Sequence, residues 1–177
     1  MTIFVLLATI WLEMIELRRR EEEGSNTSQQ VWLNIIMTKL SLVVGVVYKS
    51  PEVNGKIFCD EFEETCSEFL LKVDFFICLG DLNINILDTA SHKTRYYLNM
   101  LECVGLVQII NEATRSDTAL LDHILVSDIN RIRESGIGGT LFADHETIFC
   151  EIEHDKTEPY NFYKTTFKEW HGKGYST

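Results

Sequence analysis

The stretch Phe75-Phe76-Ile77-Cys78-Leu79-Gly80-Asp81-Leu82-Asn83 (FFICLGDLN) decides how this chain is read. Phe75 to Leu79 is a continuous apolar run of the length of a short buried strand. It runs straight into Gly80, which lets the backbone turn sharply beside a ligand. Asp81 then stands at a strand end, where it can accept a proton from water or hold a metal ion. Asn83 can donate a hydrogen bond to an anionic oxygen. Asp, Asn and Gly also favour ordinary turns. The flanking sequence therefore has to decide between a turn and a site.

Upstream, Phe58, Phe62, Cys66, Phe69, Leu70 and Val73 recur at the spacing of one helical face, which predicts a helix over Lys56 to Lys72. Glu61, Glu63, Glu64 and Glu68 lie mostly off that stripe, on a solvated face. Before it come two runs rich in Val and Ile, Val31 to Met37 and Leu40 to Tyr48. They read as an antiparallel pair of strands, the second well buried and ended by Ser50-Pro51. Arg18 to Gln30 is polar and reads as a loop or a frayed helix end.

Downstream, Thr94 to Val104 has helical spacing through Tyr97, Leu98 and Leu101, and Gly105 is placed to stop it. Leu106 to Ile110 and Leu120 to Val126 are strand candidates. Gly136, Gly138 and Gly139 mark a loop, and Thr147 to Ile152 alternates as a last strand. Helices and strands alternate without strict βαβ regularity, which predicts a layered α/β or α+β domain. The expected division is an apolar and charged segment over 1–30, a domain over 31–153 and a linker-like tail over 154–177.

Length and charge bound the function. A chain of 177 residues makes about one domain. Lys plus Arg number 16 and Asp plus Glu 27, so the net charge is −11. That balance argues against holding nucleic acid by a broad basic surface. It leaves open an enzyme that gathers carboxylates around a divalent metal. The five cysteines are odd in number and lack Cys-x-x-Cys spacing, which fits neither a disulfide framework nor a zinc site. A reducing intracellular compartment, nuclear or cytoplasmic, is expected. Met1 to Ile15 is apolar but short for a membrane span, and Arg18 to Arg20 follow it, the reverse of a secretory signal. It reads first as a packed strand or helix and second as a weak signal anchor, so no membrane partner is expected.

Three further motifs lie where elements end. In Leu121-Asp122-His123-Ile124-Leu125 a charged pair interrupts an apolar strand. The period of two places Asp122 and His123 on opposite faces, so one can face a cleft while the other packs. Asp144-His145 precedes the last strand, and a carboxylate beside an imidazole can bind a metal or move a proton. Tyr48-Lys49-Ser50-Pro51 offers a phenol and an ammonium for a phosphate, and Thr114-Arg115 is a weaker candidate of the same kind. Each alone is equally well a loop or surface feature.

Together and in this order, VVYKSP, FFICLGDLN, NEATR, ALLDHIL and FADHETIF resemble the endonuclease/exonuclease/phosphatase superfamily. Within it they most resemble the apurinic-type endonuclease domain of non-LTR retrotransposons. That family shows strand–Tyr-Arg-x-Pro, strand–Gly-Asp-Phe-Asn, a Thr-Arg segment, an Asp-His pair in an apolar strand and a final Ser-Asp-His. The likeness covers Val31 to Glu153, and the tail FYKTTFKEW is similar to the segment that follows the domain in such elements.

The resemblance implies a four-layer α/β/β/α sandwich and phosphodiester hydrolysis with Mg²⁺ (or Mn²⁺). DNA is the implied partner, with no small-molecule cofactor. By resemblance, Asp81 orients or deprotonates the attacking water and Asn83 contacts the phosphate. Asp122 orients the imidazole of His145, which stabilises the phosphorane, and Asp144 helps hold the metal. Tyr48 contacts the phosphate; Thr114, Arg115 and Lys49 touch the substrate.

The family carries further strands, with an Asn and the principal metal Glu, before the position of Val31. Ala8-Thr9-Ile10-Trp11-Leu12 is faintly similar to the family's Thr-Glu-Thr-Trp-Leu, with Ile10 in place of that Glu and Glu13 off register. The chain therefore reads as a C-terminal part of the domain, lacking much of one sheet. Three functions follow: an active DNA-nicking phosphodiesterase, a non-catalytic remnant of the same fold, or an acidic protein-interaction domain.

Overall fold

The computed structural model describes residues 28–37, 40–138 and 145–153, together with the backbone of 160–169. The expectations for Met1 to Ile15, for the Ala8 to Leu12 segment and for Asp144 lie outside the described residues.

Strands β1 (Ser28–Met37) and β2 (Ser41–Lys49) form the expected antiparallel pair. β1 starts at Ser28, inside the stretch read as loop. Trp32 faces Gly45 across the pair, and a Cβ at Gly45 would fall within its indole ring. The missing side chain is what lets Trp32 become fully buried, with ring centroids 4.7 Å from Phe69 and 5.5 Å from Phe76.

Helix α1 (Gly55–Leu70) is capped by Asn54, whose side chain accepts from the N–H groups of Lys56 and Ile57. Its stripe of Phe58, Phe62 and Cys66 is buried as the spacing predicts. Strand β3 (Phe75–Asp81) lies parallel to β2. Helix α2 (His92–Val104) stops at Gly105, whose φ is 73°.

Strand β4 (Val107–Gln108) is much shorter than the expected Leu106 to Ile110. The Gln108 side chain accepts from the Ile110 N–H and donates to the Ile110 carbonyl, both at 2.7 Å, and so takes the place of a ladder partner. Strand β5 (Asp122–Val126) pairs antiparallel with β3. Strands β6 (Ile132–Ile137) and β7 (Ile148–Ile152) form a separate hairpin-like sheet. Strand β8 (Tyr160–Glu169) pairs antiparallel with β1, giving a main sheet of order β4-β5-β3-β2-β1-β8.

Two local readings change. Gly136, expected in a loop, lies inside β6 opposite Phe149, whose ring a Cβ would merely touch at 3.5 Å. Residues 160–169, expected in a linker, are a strand. Without them the outer edge of β1 would be an open row of donors and acceptors, and the Tyr, Phe and Thr content of 160–169 favours a pleated strand.

Alternation along β3 sorts the core into two layers. Phe76 and Cys78 face the helices with Val43, Val47, Phe62, Tyr97 and Leu101. Phe75, Ile77 and Leu79 face the other way, with Ile124, Val126 and Cys150, toward the partly buried Ile132, Ile137, Ile148 and Ile152 of the second sheet. Among the described residues this gives helices, a six-stranded sheet and a two-stranded sheet, an α/β layered fold with its second sheet represented by two strands. Among the described residues no helix is long and apolar enough to cross a membrane.

His123 follows the helix-facing register. It is fully buried, with Nδ1 2.8 Å from the Tyr97 hydroxyl and Nε2 3.0 Å from the Ile84 carbonyl. A carbonyl only accepts, so Nε2 carries the proton and Nδ1 accepts from Tyr97. Burial pushes its pKa from 6.5 down to about 4. The unfolded chain takes up this proton near 6.5 and the folded chain only near 4. Stability should therefore fall by about 3 kcal/mol as pH drops through that window, and level off below it. Urea melts of wild type and His123→Gln between pH 7 and pH 4 check this: the variant should lose this part of the pH slope, and parallel slopes would refute it.

Candidate active site

The antiparallel register of β3 and β5 sets Asp81 directly opposite Asp122. Both carboxylates project to the face of the second sheet, because each shares the parity of the apolar residues packed there. They are 2% and 8% exposed. Two buried carboxylates in directly opposed positions repel each other unless a positive group joins them.

His145 stands beside both carboxylates. Its Nδ1 lies 2.8 Å from Asp122 Oδ2, and its Nε2 lies 4.0 Å from Asp81 Oδ2. Asp122 therefore receives the Nδ1 proton, which fixes the tautomer and turns Nε2 toward Asp81. The Asp122–His145 pair expected from the sequence is thus formed.

Thr114 and Arg115 hold this geometry in place. Arg115 forms a β-bridge with His145, and the Glu146 N–H donates to the Thr114 carbonyl at 2.8 Å. The Thr114 hydroxyl accepts from the N–H groups of Leu121 and Asp122, each at 3.1 Å. One buried hydroxyl therefore ties the entry of β5 to the segment that carries His145. Thr114, expected at the substrate, is fully buried and stitches the site. Arg115 is half-buried beside His145.

The turn after β3 is built as closely. Gly80 has φ 155°, and a Cβ there would overlap the Val47 carbonyl oxygen of β2. Asn83 has φ 48°, and its N–H donates to Asp81 Oδ1 at 3.0 Å. The Asn83 side-chain amide, expected at a phosphate, donates instead to the Lys49 carbonyl at 2.8 Å. It ties the end of β3 to the end of β2.

Tyr48 and Lys49 part company by strand alternation. Tyr48 is buried, and its parity in β2 puts it on the Asp81 side. Lys49 points to the helix side, is fully buried, and donates from Nζ to the Ser50 carbonyl at 2.8 Å. Burial first, and repulsion from Lys93 second, lower its pKa to about 8. Lys49, expected at the substrate, thus lies within the fold, held on the Ser50 carbonyl. Sequence reasoning missed Lys93, whose Nζ donates to the Asn83 carbonyl at 2.7 Å. No local signal marks it, since a lysine in the first turn of a helix reads as solvated.

Asp81, Asp122 and His145 each offer one ligand atom, all within 4.8 Å of one another. The cluster can hold a metal ion. Two buried carboxylates supply hard oxygen donors, which suit a hard divalent cation that keeps several of its waters.

No family model matches the sequence, and no curated protein matches it. Solved structures do match. The endonuclease domain of TRAS1, a telomere-specific non-LTR retrotransposon, superposes with TM-score 0.58 at 12% identity. The match covers 70% of this chain and 65% of that domain, so the chain spans under two thirds of its length. The 3′ phosphatase NExo from Neisseria, bound to a product DNA hairpin, gives TM-score 0.53 at 14% identity over 72% of this chain and 80% of that one. These solved structures share the layered α/β fold that the motifs predict.

Proposed function

We propose that the chain is a divalent-metal-dependent phosphodiester hydrolase of endonuclease type that nicks DNA. The observation that carries this reading is the Asp81–Asp122–His145 constellation on the second-sheet face of β3 and β5. Hydrolysis of a phosphodiester needs a positioned water, a counter-charge for the phosphorane and a stabilised leaving oxygen. Asp81 orients the water and takes its proton. Asp122 holds the Nδ1–H of His145, and in its imidazolium form the ring also donates from Nε2 to a phosphate oxygen. Tyr48, on the same face, contacts the phosphate, and Arg115 meets the substrate backbone. Asp81, with Asp122 and Asp144, would hold Mg²⁺ or Mn²⁺. When bound, that ion offsets the negative charge that builds on the phosphate.

DNA is the substrate class supported by the two neighbours, one an endonuclease domain and one bound to a DNA product. The net charge of −11 predicts modest, salt-sensitive affinity for it. The experiment is nicking of supercoiled plasmid with Mg²⁺. Nicked circles should form, a chelator should stop them, and His145→Ala should slow them about 10²- to 10⁴-fold. Equal rates in wild type and His145→Ala would refute the reading. A second reading is the same fold without turnover. It predicts no nicking at any Mg²⁺ concentration.

A further inference from the structure

Four chain segments converge on the helix side of the Asp81 turn. The end of β2 brings Lys49, the turn after β3 brings Asn83, α1 begins at Gly55, and the first turn of α2 brings Lys93. Asn83 is held there by all of its backbone polarity and by its side chain. Its N–H goes to Asp81 Oδ1, its carbonyl accepts from Lys93 Nζ, and its amide group donates to the Lys49 carbonyl. A non-glycine residue at φ 48° costs free energy and persists only when its surroundings hold it.

The lysines are built into the fold. Lys49 is fully buried and anchored on the Ser50 carbonyl. Lysine is almost never fully buried, because desolvating an ammonium is costly. The Lys93 stem runs over Gly55, where a Cβ would come within 2.9 Å of Lys93 Cγ. Lys93 lies near enough to Lys49 for the two ammoniums to repel, and Asp81 is the carboxylate that attracts Lys49. A fold that places two cations behind one acidic turn, at a cost in desolvation and repulsion, uses them there.

We infer that Lys49 and Lys93 are positioning residues, a paired cationic brace that locks the Asp81–Asn83 turn and thereby aims the Asp81 carboxylate. Lys93 pins the Asn83 carbonyl. Asn83 is then held so that its own N–H fixes Asp81 Oδ1. Lys49 pins the neighbouring strand end from within and supports Asp81 from behind the sheet. The brace deepens the hydrolase reading and rests on it only where turnover is measured, because the turn geometry can be read without turnover.

The test uses Lys93→Met, Lys93→Arg and Lys49→Met in the full chain. Hydrogen exchange at the Asn83 backbone amide, followed by NMR, reports the turn directly. It should quicken about tenfold or more in Lys93→Met, as its anchored carbonyl is released, and return toward wild type in Lys93→Arg. In plasmid nicking, Lys93→Met should lower kcat about 100-fold with little change in KM, because a misaimed group loses rate before it loses binding. Lys49→Met should raise the melting temperature by a few degrees while lowering kcat. Wild-type Asn83 exchange in both methionine variants overturns the brace, whatever the nicking shows. An inactive wild type with quickened exchange in Lys93→Met removes the hydrolase reading and leaves the brace standing. Active variants with unchanged kcat overturn it.

Discussion

Asp81→Asn should abolish hydrolysis, by about 10³-fold or more, in a protein that remains folded. The variant keeps an oxygen where Asp81 Oδ1 accepts from the Asn83 N–H, so the turn after β3 survives. It removes the charge that faces Asp122 across the β3–β5 ladder and that lies 4.0 Å from His145 Nε2. An amide neither takes a proton from water nor offers a charged ligand to a metal. Asp81 is 2% exposed, so bulk water does not easily replace it as a base. Single-turnover nicking and a thermal melt of the same preparation check this. Turnover within about tenfold of wild type would show that Asp81 is not the base. A collapse of the melt would place its role in folding.

Gly80→Ala should destabilise the protein by roughly 4 kcal/mol and cost activity as well. Two effects add. At φ 155° an L side chain is strained, and its Cβ would overlap the Val47 carbonyl of β2. Backbone cannot rotate away as a flexible side chain can, so relief requires β2 and β3 to separate at their ends. That separation pulls Asn83 from the Lys49 carbonyl and shifts Tyr48 relative to Asp81. Gly105→Ala is the matched control. It also has a positive φ, 73°, but no heavy atom lies within 4 Å of the added Cβ. It should cost only about 1–2 kcal/mol. Urea midpoints of the two variants separate the close approach from the backbone preference, and equal midpoints would refute the account of Gly80.

Much of the frame follows from short-range pattern. The apolar spacing of Phe58, Phe62 and Cys66 forms a buried helical face wherever a sheet covers it. The run of Phe75 to Leu79 pairs as a strand because no other structure buries it so cheaply. Period two alone separates Asp122 from His123, and the structure puts the first in the site and the second against Tyr97. The tail and Gly136 take their structure from distant partners. Residues 160–169 become a strand because β1 offers an edge, and that edge is set by pairings made more than a hundred residues earlier in the chain. Gly136 joins β6 because Phe149 lies across from it.

The candidate site divides in the same way. The carboxylates, the histidine and the turn are legible locally, since each stands at the end of an element whose period is local. Packing sets the partner of each. It set Asp81 against Asp122 by ladder register and brought His145 to Asp122 through the Thr114 stitch. It buried Thr114 and Lys49, and it brought Lys93 to the Asn83 carbonyl. The physical reason is that residue type fixes which bonds a group can make. Which bond it does make depends on which partner the packed layers bring within about 3 Å, and strand parity within one chain segment does not carry that information.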